Sequence, residues 1–287
     1  MSDFTIFTDS GSDLTPEQMN EWGVKYCSLT FRFEGEDTEY DNYDLVSKAF
    51  YDKIREGKVG KTAAVNIYTF KEAFEEELKK GNDILYLGFD SGISTTSNSG
   101  IAAADELRSE YPERKIVAYD TLCASGGLGM LVKLTVDKKN AGASLEECEA
   151  FAKDLAPKIA LWFTVEDLIY LKRGGRISSG AYFAASVLNI KPVMHVDDEG
   201  KLISMEKVRG RKKSIEALVD KYKEDAIDLK GPVVVFHGDC LDDARMLANT
   251  LEEQFGANVV MIGELGAVIG SHTGPGILFV SYPGKKR

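Results

Sequence analysis

Apolar residues arrive in short solid blocks, each followed by a polar turn and then by a stretch with helical spacing. The first block, Phe4-Thr5-Ile6-Phe7-Thr8, reads as a buried strand. The turn Asp9-Ser10-Gly11-Ser12-Asp13 leads to a helix start in which Thr15 caps, Pro16 takes the first helical position and Gln18 closes a capping box. The order repeats. Asp83-Ile84-Leu85-Tyr86-Leu87-Gly88 runs into a Ser/Thr/Gly loop and the helix-forming residues 102–107, and Lys115-Ile116-Val117-Ala118-Tyr119 runs into Asp120-Thr121 and a helical run over 128–138. Near-continuous apolar strands alternating with helices predict a largely parallel sheet with flanking helices.

The pattern changes after Asn140-Ala141-Gly142-Ala143. Ser144 and Glu147 open a helix whose apolar positions are Cys148, Phe151 and Leu155, and Pro157 ends it. A domain boundary is placed there, giving residues 1–155 and 156–287. Beyond it the spacing predicts a strand over 159–163, a short helix opened by Thr164 and Asp167 and stopped by Gly174-Gly175, and a second compact helix over 181–188. Residues 192–196 and 202–206, joined by Asp197-Asp198-Glu199-Gly200, read as a hairpin. A helix carrying Ile215, Leu218, Val219 and Tyr222, a strand over 233–236, a last helix over 242–255 and strands over 259–262 and 277–282 complete the chain. The fold class is therefore α/β in two domains: an N-terminal, largely parallel sheet with flanking helices, and a C-terminal mixed-sheet α/β domain.

Composition narrows the classes of function. The chain has 287 residues, 44% of them hydrophobic, and 35 Lys+Arg against 46 Asp+Glu give 35 − 46 = −11. That length suits two cores. The negative field repels phosphate backbones, so nucleic acid is not an expected partner. No stretch approaches the about 18 apolar residues of a spanning helix, and the start lacks the basic residue and apolar run of a leader, so the expectation is a cytoplasmic protein without stable membrane insertion. Cys27, Cys123, Cys148 and Cys240 show no metal or disulfide spacing and read as buried free thiols.

The densest candidate chemistry follows the strand over 83–88. In Asp90-Ser91-Gly92-Ile93-Ser94-Thr95-Thr96-Ser97-Asn98-Ser99-Gly100, six hydroxyls and an amide crowd the carboxyl end of a strand, where open parallel sheets bind ligands. They make an anion-binding wall, or they cap the following helix; both can hold. Lys61-Thr62 offers a second wall. The loop from Asp9 to Asp13 lacks a regular ligand series for a cation. Lys172-Arg173-Gly174-Gly175-Arg176-Ile177-Ser178 has neither the Walker order nor a dinucleotide fingerprint, but Arg173 or Arg176 can pair with an acid. His272, in Gly270-Ser271-His272-Thr273-Gly274-Pro275-Gly276, is placed in a tightly turning loop before a strand, where its two ring nitrogens can bridge a ligand carboxylate and a protein acceptor. His195 and His237 fall within strands, and three dispersed histidines do not make a zinc site. Without a G-x-S-x-G elbow around Ser94, no catalytic residue, metal or cofactor is assigned.

Taken in order, Asp9-Ser10-Gly11-Ser12-Asp13-Leu14, Ser91-Gly92-Ile93-Ser94-Thr95-Thr96, residues 168–177 around Lys172-Arg173-Gly174-Gly175-Arg176, Lys191-Pro192 and His272-Thr273-Gly274-Pro275-Gly276 resemble the DegV family over essentially the whole chain. The resemblance implies a long-chain fatty acid buried between two α/β domains. Its carboxylate would be held by the hydroxyls of Thr62 and Ser94 with His272 nearby, Thr95 beside them, and Arg173 and Arg176 as head-group or partner contacts. It implies a binding subunit whose carboxylate is phosphorylated by a separate fatty acid kinase, for phospholipid synthesis. Two departures stand out: Ala63-Ala64-Val65-Asn66 follows Thr62 where the family is rich in Ser, Gln and Pro, and Thr95 occupies a position where the family has Gly. Lys207, Arg209, Arg211, Lys212 and Lys213 form a basic interval suited to docking a partner or to plain solvation. Other readings are a small-molecule phosphotransfer or hydrolytic enzyme, and a lipid-responsive regulatory protein.

Overall fold

The computed structural model describes residues 3–178 and 189–286. The chain forms two compact units, one of Met1–Thr30 with Ala63–Pro157, the other of Phe31–Thr62 with Lys158–Arg287. A single boundary after residue 155 would leave residues 31–62 in the first unit, whereas they pack in the second. The first passage through the first unit gives β1 (Phe4–Asp9), α1 (Pro16–Glu21) and β2 (Val24–Cys27). The excursion into the second gives β3 (Thr30–Phe33), β4 (Tyr40–Asp41), α2 (Ser47–Arg55) and β5 (Gly60–Ala63). The chain then builds α3 (Ile67–Lys79), β6 (Asp83–Phe89), α4 (Thr96–Glu110), β7 (Ile116–Cys123), α5 (Ser125–Asn140) and α6 (Leu145–Leu155). Its final part is β8 (Ile159–Thr164), α7 (Ile169–Arg173), β9 (Ile190–Val196), β10 (Leu202–Arg209), α8 (Arg211–Asp225), β11 (Pro232–His237), α9 (Leu241–Phe255), β12 (Asn258–Glu264), α10 (Ala267–Thr273) and β13 (Leu278–Pro283).

The sheet of the first unit runs β2-β1-β6-β7 and is parallel throughout. Every residue of β1 and β6 is buried, which explains their unbroken apolar runs. Both capping boxes form as the sequence predicts, Thr15 with Gln18 and Ser144 with Glu147. Phe7 of β1 meets Phe74 of α3 edge to face with centroids 4.9 Å apart. The cation site considered at the Asp9 loop is instead a stitch between strands. Asp9 Oδ2 accepts from the Tyr86 hydroxyl at 2.7 Å and the Phe89 amide at 2.9 Å, and Oδ1 accepts from the Gly11 amide at 2.9 Å.

The second unit has a six-stranded sheet, β10-β9-β8-β13-β11-β12, in which only β11 and β12 pair parallel. The hairpin of β9 and β10 makes its outer antiparallel pair. Ile215, Leu218 and Tyr222 of α8 and Leu247 and Leu251 of α9 bury against Trp162, Val235 and Val280. Each large side chain fully buried there stabilises the unit by roughly 1.5–3 kcal/mol. A small sheet, β4-β3-β5, carries Phe31 and Phe33 against Phe50 of α2. Two sequence expectations change. Residues 267–273 are a helix rather than a turning loop, so α9 is not the last one and His272 is helical. Thr164 lies in β8, leaving Asp167 alone to receive the Ile169 amide at 2.8 Å. The helix read at 181–188 falls outside the described residues.

Candidate functional site

Three elements of the second unit converge on one cavity: β5 with the turn before it, α7 with the turn after it, and the end of α10. The cavity encloses about 240 Å³ and is lined by Lys58, Lys61, Thr62, Arg173, Arg176 and His272, with Tyr170, Ser271 and backbone completing the wall. The approach depends on missing side chains. A β-carbon at Gly174 would lie 2.1 Å from His272 Nδ1, and one at Gly60 would lie 2.0 Å from Ser271 Oγ. The two glycines let α10 settle against α7 and β5, which brings the imidazole to Thr62. Gly274, just past α10, has φ 72, and a side chain there would also strike Tyr170.

His272 Nε2 lies 2.8 Å from Thr62 Oγ1, and Arg176 Nη1 lies 3.5 Å from Nδ1 while donating to the Gly174 carbonyl at 2.6 Å. Burial, reinforced by the charges of Arg176 and Lys61, pushes the imidazole down to about 3, so the ring is neutral across the physiological range. Burial also lowers the Arg176 guanidinium from its usual value. Among the described residues, four cationic side chains and no carboxylate line the cavity. Lys58 is held by Glu36 at 2.8 Å, and Lys61 has Glu34 at 3.5 Å. Such a site attracts an anion and offers it a hydroxyl rather than a buried ion pair. Its volume is below the roughly 300–1,000 Å³ of pockets that enclose a whole drug-sized ligand, so it suits a head group.

Thr62, His272, Arg173 and Arg176 are thus brought together. Ser94 and Thr95 lie in the first unit, where β6 delivers the chain to α4. Ser94 Oγ is 3.0 Å from Thr96 Oγ1 and accepts from the Thr96 amide at 3.3 Å, so it satisfies the first amide of α4 from just outside the helix. Ser97 is buried with no partner for its hydroxyl. Thr95 has φ −82 and ψ 4, which a β-branched residue adopts without strain, and its side chain makes no capping bond. Cys240, the one half-buried thiol, is pushed up to about 11 by burial, which disfavours its thiolate at neutral pH.

The family model described as "Uncharacterised protein, DegV family" matches residues 3–284. The chain belongs to the DegV family. A DegV domain-containing protein of Clostridium perfringens is 40% identical over 288 residues, covering 99% of this chain and 98% of that one. A DegV protein of Thermus thermophilus, described as fatty-acid binding, superposes with TM-score 0.88 at 29% identity, over 99% of this chain and 100% of its own. DegV of Bacillus subtilis, described as a fatty acid binding protein, gives TM-score 0.84 at 26% identity, over 98% and 99%.

In this DegV protein the motif glycines acquire physical roles. Gly174, which reads in sequence as a helix stop, is the seat of the imidazole. Gly60, Tyr170 and Ser271 were not legible as part of the wall, because no local pattern announces which strand a later helix will touch. Lys207, Arg209, Lys212 and Lys213 are exposed at the end of β10 and the start of α8. Arg211 is engaged by Asp243 at 2.8 Å. No helix of the described residues is long and apolar enough to cross a membrane.

Proposed function

We propose that this chain binds a long-chain fatty acid by its carboxylate and presents that carboxylate to a separate ATP-dependent kinase for conversion to an acyl phosphate. The observation that carries the reading is the neutral His272–Thr62 pair in a cation-lined cavity without a carboxylate. The described fatty-acid binding of the Thermus and Bacillus relatives supports it. In this reading Ser94 supplies a second hydroxyl, and Arg173 and Arg176 complete the head-group environment. Each buried methylene contributes about 0.8 kcal/mol, so the chain supplies most of the affinity and the head group sets the orientation. Without donors, an ionised carboxylate would carry a large desolvation cost. The protein's own part is binding; the phosphoryl transfer belongs to the kinase.

Native mass spectrometry of gently purified protein, followed by organic extraction and titration with oleate, tests the reading. A retained or tightly bound long acyl acid is expected, and its loss in a folded T62A/S94A variant. A wild type that neither retains nor takes up oleate overturns the function. Equal occupancy in wild type and double variant overturns the two hydroxyls.

A further inference from the structure

The Arg176 guanidinium donates to the Gly174 carbonyl and turns Nη1 toward His272 Nδ1 at 3.5 Å. A guanidinium has donors only and keeps its charge at any pH a protein survives. The ring nitrogen facing it is therefore the one with the lone pair, and the proton of the neutral imidazole sits on Nε2. Nε2–H donates to Thr62 Oγ1 across 2.8 Å. The hydroxyl, having accepted from the ring, keeps its own proton for the cavity. The opposite tautomer would reverse the polarity: Thr62 would donate to Nε2 and present only lone pairs. A carboxylate has acceptors only, so it is bound by the first arrangement and repelled by the second.

We propose that Arg176 is a positioning residue: it fixes the tautomer of His272, and through it the direction of the Thr62 hydroxyl, making the cavity selective for ionised carboxylates over alcohols of the same chain length. The other titratable groups lining the cavity do not oppose it. Lys61 comes from β5, Lys58 from the turn after α2, and Tyr170 and Arg173 from α7; none of the four supplies a negative charge that would favour the imidazolium. The selectivity rests on the fatty-acid reading, while the tautomer does not.

The test is ¹⁵N NMR of histidine-labelled, ligand-free protein, with His272 assigned by H272Q, together with oleate and oleyl alcohol titrations. In wild type, His272 is expected as the Nε2–H tautomer from about pH 6 to about pH 8. R176M is expected to give mixed tautomers, a ring titration moved upward, and oleate affinity weakened roughly tenfold, with oleyl alcohol affinity nearly unchanged. R176K, which keeps a cationic donor, is expected to restore the tautomer. An Nδ1–H ring in wild type overturns the inference without any variant. So does a tautomer indifferent to residue 176, or an equal loss of acid and alcohol in R176M. If the tautomer depends on Arg176 and oleate does not bind, the positioning role stands and the fatty-acid reading falls.

Discussion

A histidine held neutral at about 3 makes the protein sensitive to acid in a definite direction. In the unfolded chain the imidazole takes up a proton as the pH falls through about 6.5, whereas in the folded protein it does so only near the lower value. The folded state therefore binds fewer protons in that window. Stability from His272 is full above about pH 6.5 and declines as the pH drops, by about 2 kcal/mol at about pH 5. Urea denaturation of ligand-free protein at those two pH values should show that loss, and H272Q should lose less. A bound carboxylate would oppose the trend by bringing a negative charge to the ring. The chemistry of this residue was legible from sequence, since a histidine among glycines and hydroxyls suggests an aimed imidazole. Its charge state was not, because that depends first on burial and then on the charges of Arg176 and Lys61, distant in sequence and brought near by α7 and β5.

At the scale of the element, α10 shows why the sequence misleads. Its segment Ala267-Val268-Ile269-Gly270-Ser271-His272-Thr273 holds an internal glycine and is followed by Gly-Pro-Gly, and glycine costs a helix interior about 1 kcal/mol relative to alanine. A loop is the natural reading. Packing reverses it, since a β-carbon at Gly270 would lie 2.7 Å from the Phe50 ring and 2.8 Å from the Tyr51 hydroxyl of α2. Gly270→Ala should therefore destabilise the fold even though it raises helix propensity. The gain of up to about 1 kcal/mol is set against an overpacking cost of about 1–3 kcal/mol beside two fully buried rings. Thermal or urea unfolding checks the sign, and a more stable variant would show that α2 can yield. By contrast, α1 and α6 were legible in full, because a capping box is written within four consecutive residues. The Asp9 stitch was not, since its partners Tyr86 and Phe89 lie in a strand about 80 residues later, and nothing local distinguishes an acceptor for a hydroxyl and amides from a cation ligand.

At the scale of the whole molecule, strand type was legible and chain routing was not. Unbroken apolar runs announced the parallel sheet, and the turn over residues 197–200 announced the antiparallel hairpin. Residues 31–62 carry no composition change to mark their transfer to the second unit; the Tyr51 hydroxyl, donating to the Leu265 carbonyl at 3.2 Å, and Asn42 Oδ1, accepting from the Val268 amide at 2.9 Å, hold them there. Charge is the remaining molecular property with a consequence. Against a net charge of −11, Lys207, Arg209, Lys212 and Lys213 stand exposed together, while Arg211 is committed to Asp243 and Glu166. Screened surface charges change encounter rates more than the contacts made after docking. If this interval meets the proposed kinase, K212E/K213E should slow association severalfold at low salt and much less at high salt, leaving the dissociation rate and oleate retention nearly unchanged. Arg211 is left out of the variant because its removal would uncover Asp243 and disturb folding instead of docking. Surface plasmon resonance across a salt series separates the outcomes, and association unaffected at low salt would assign the interval to solvation alone.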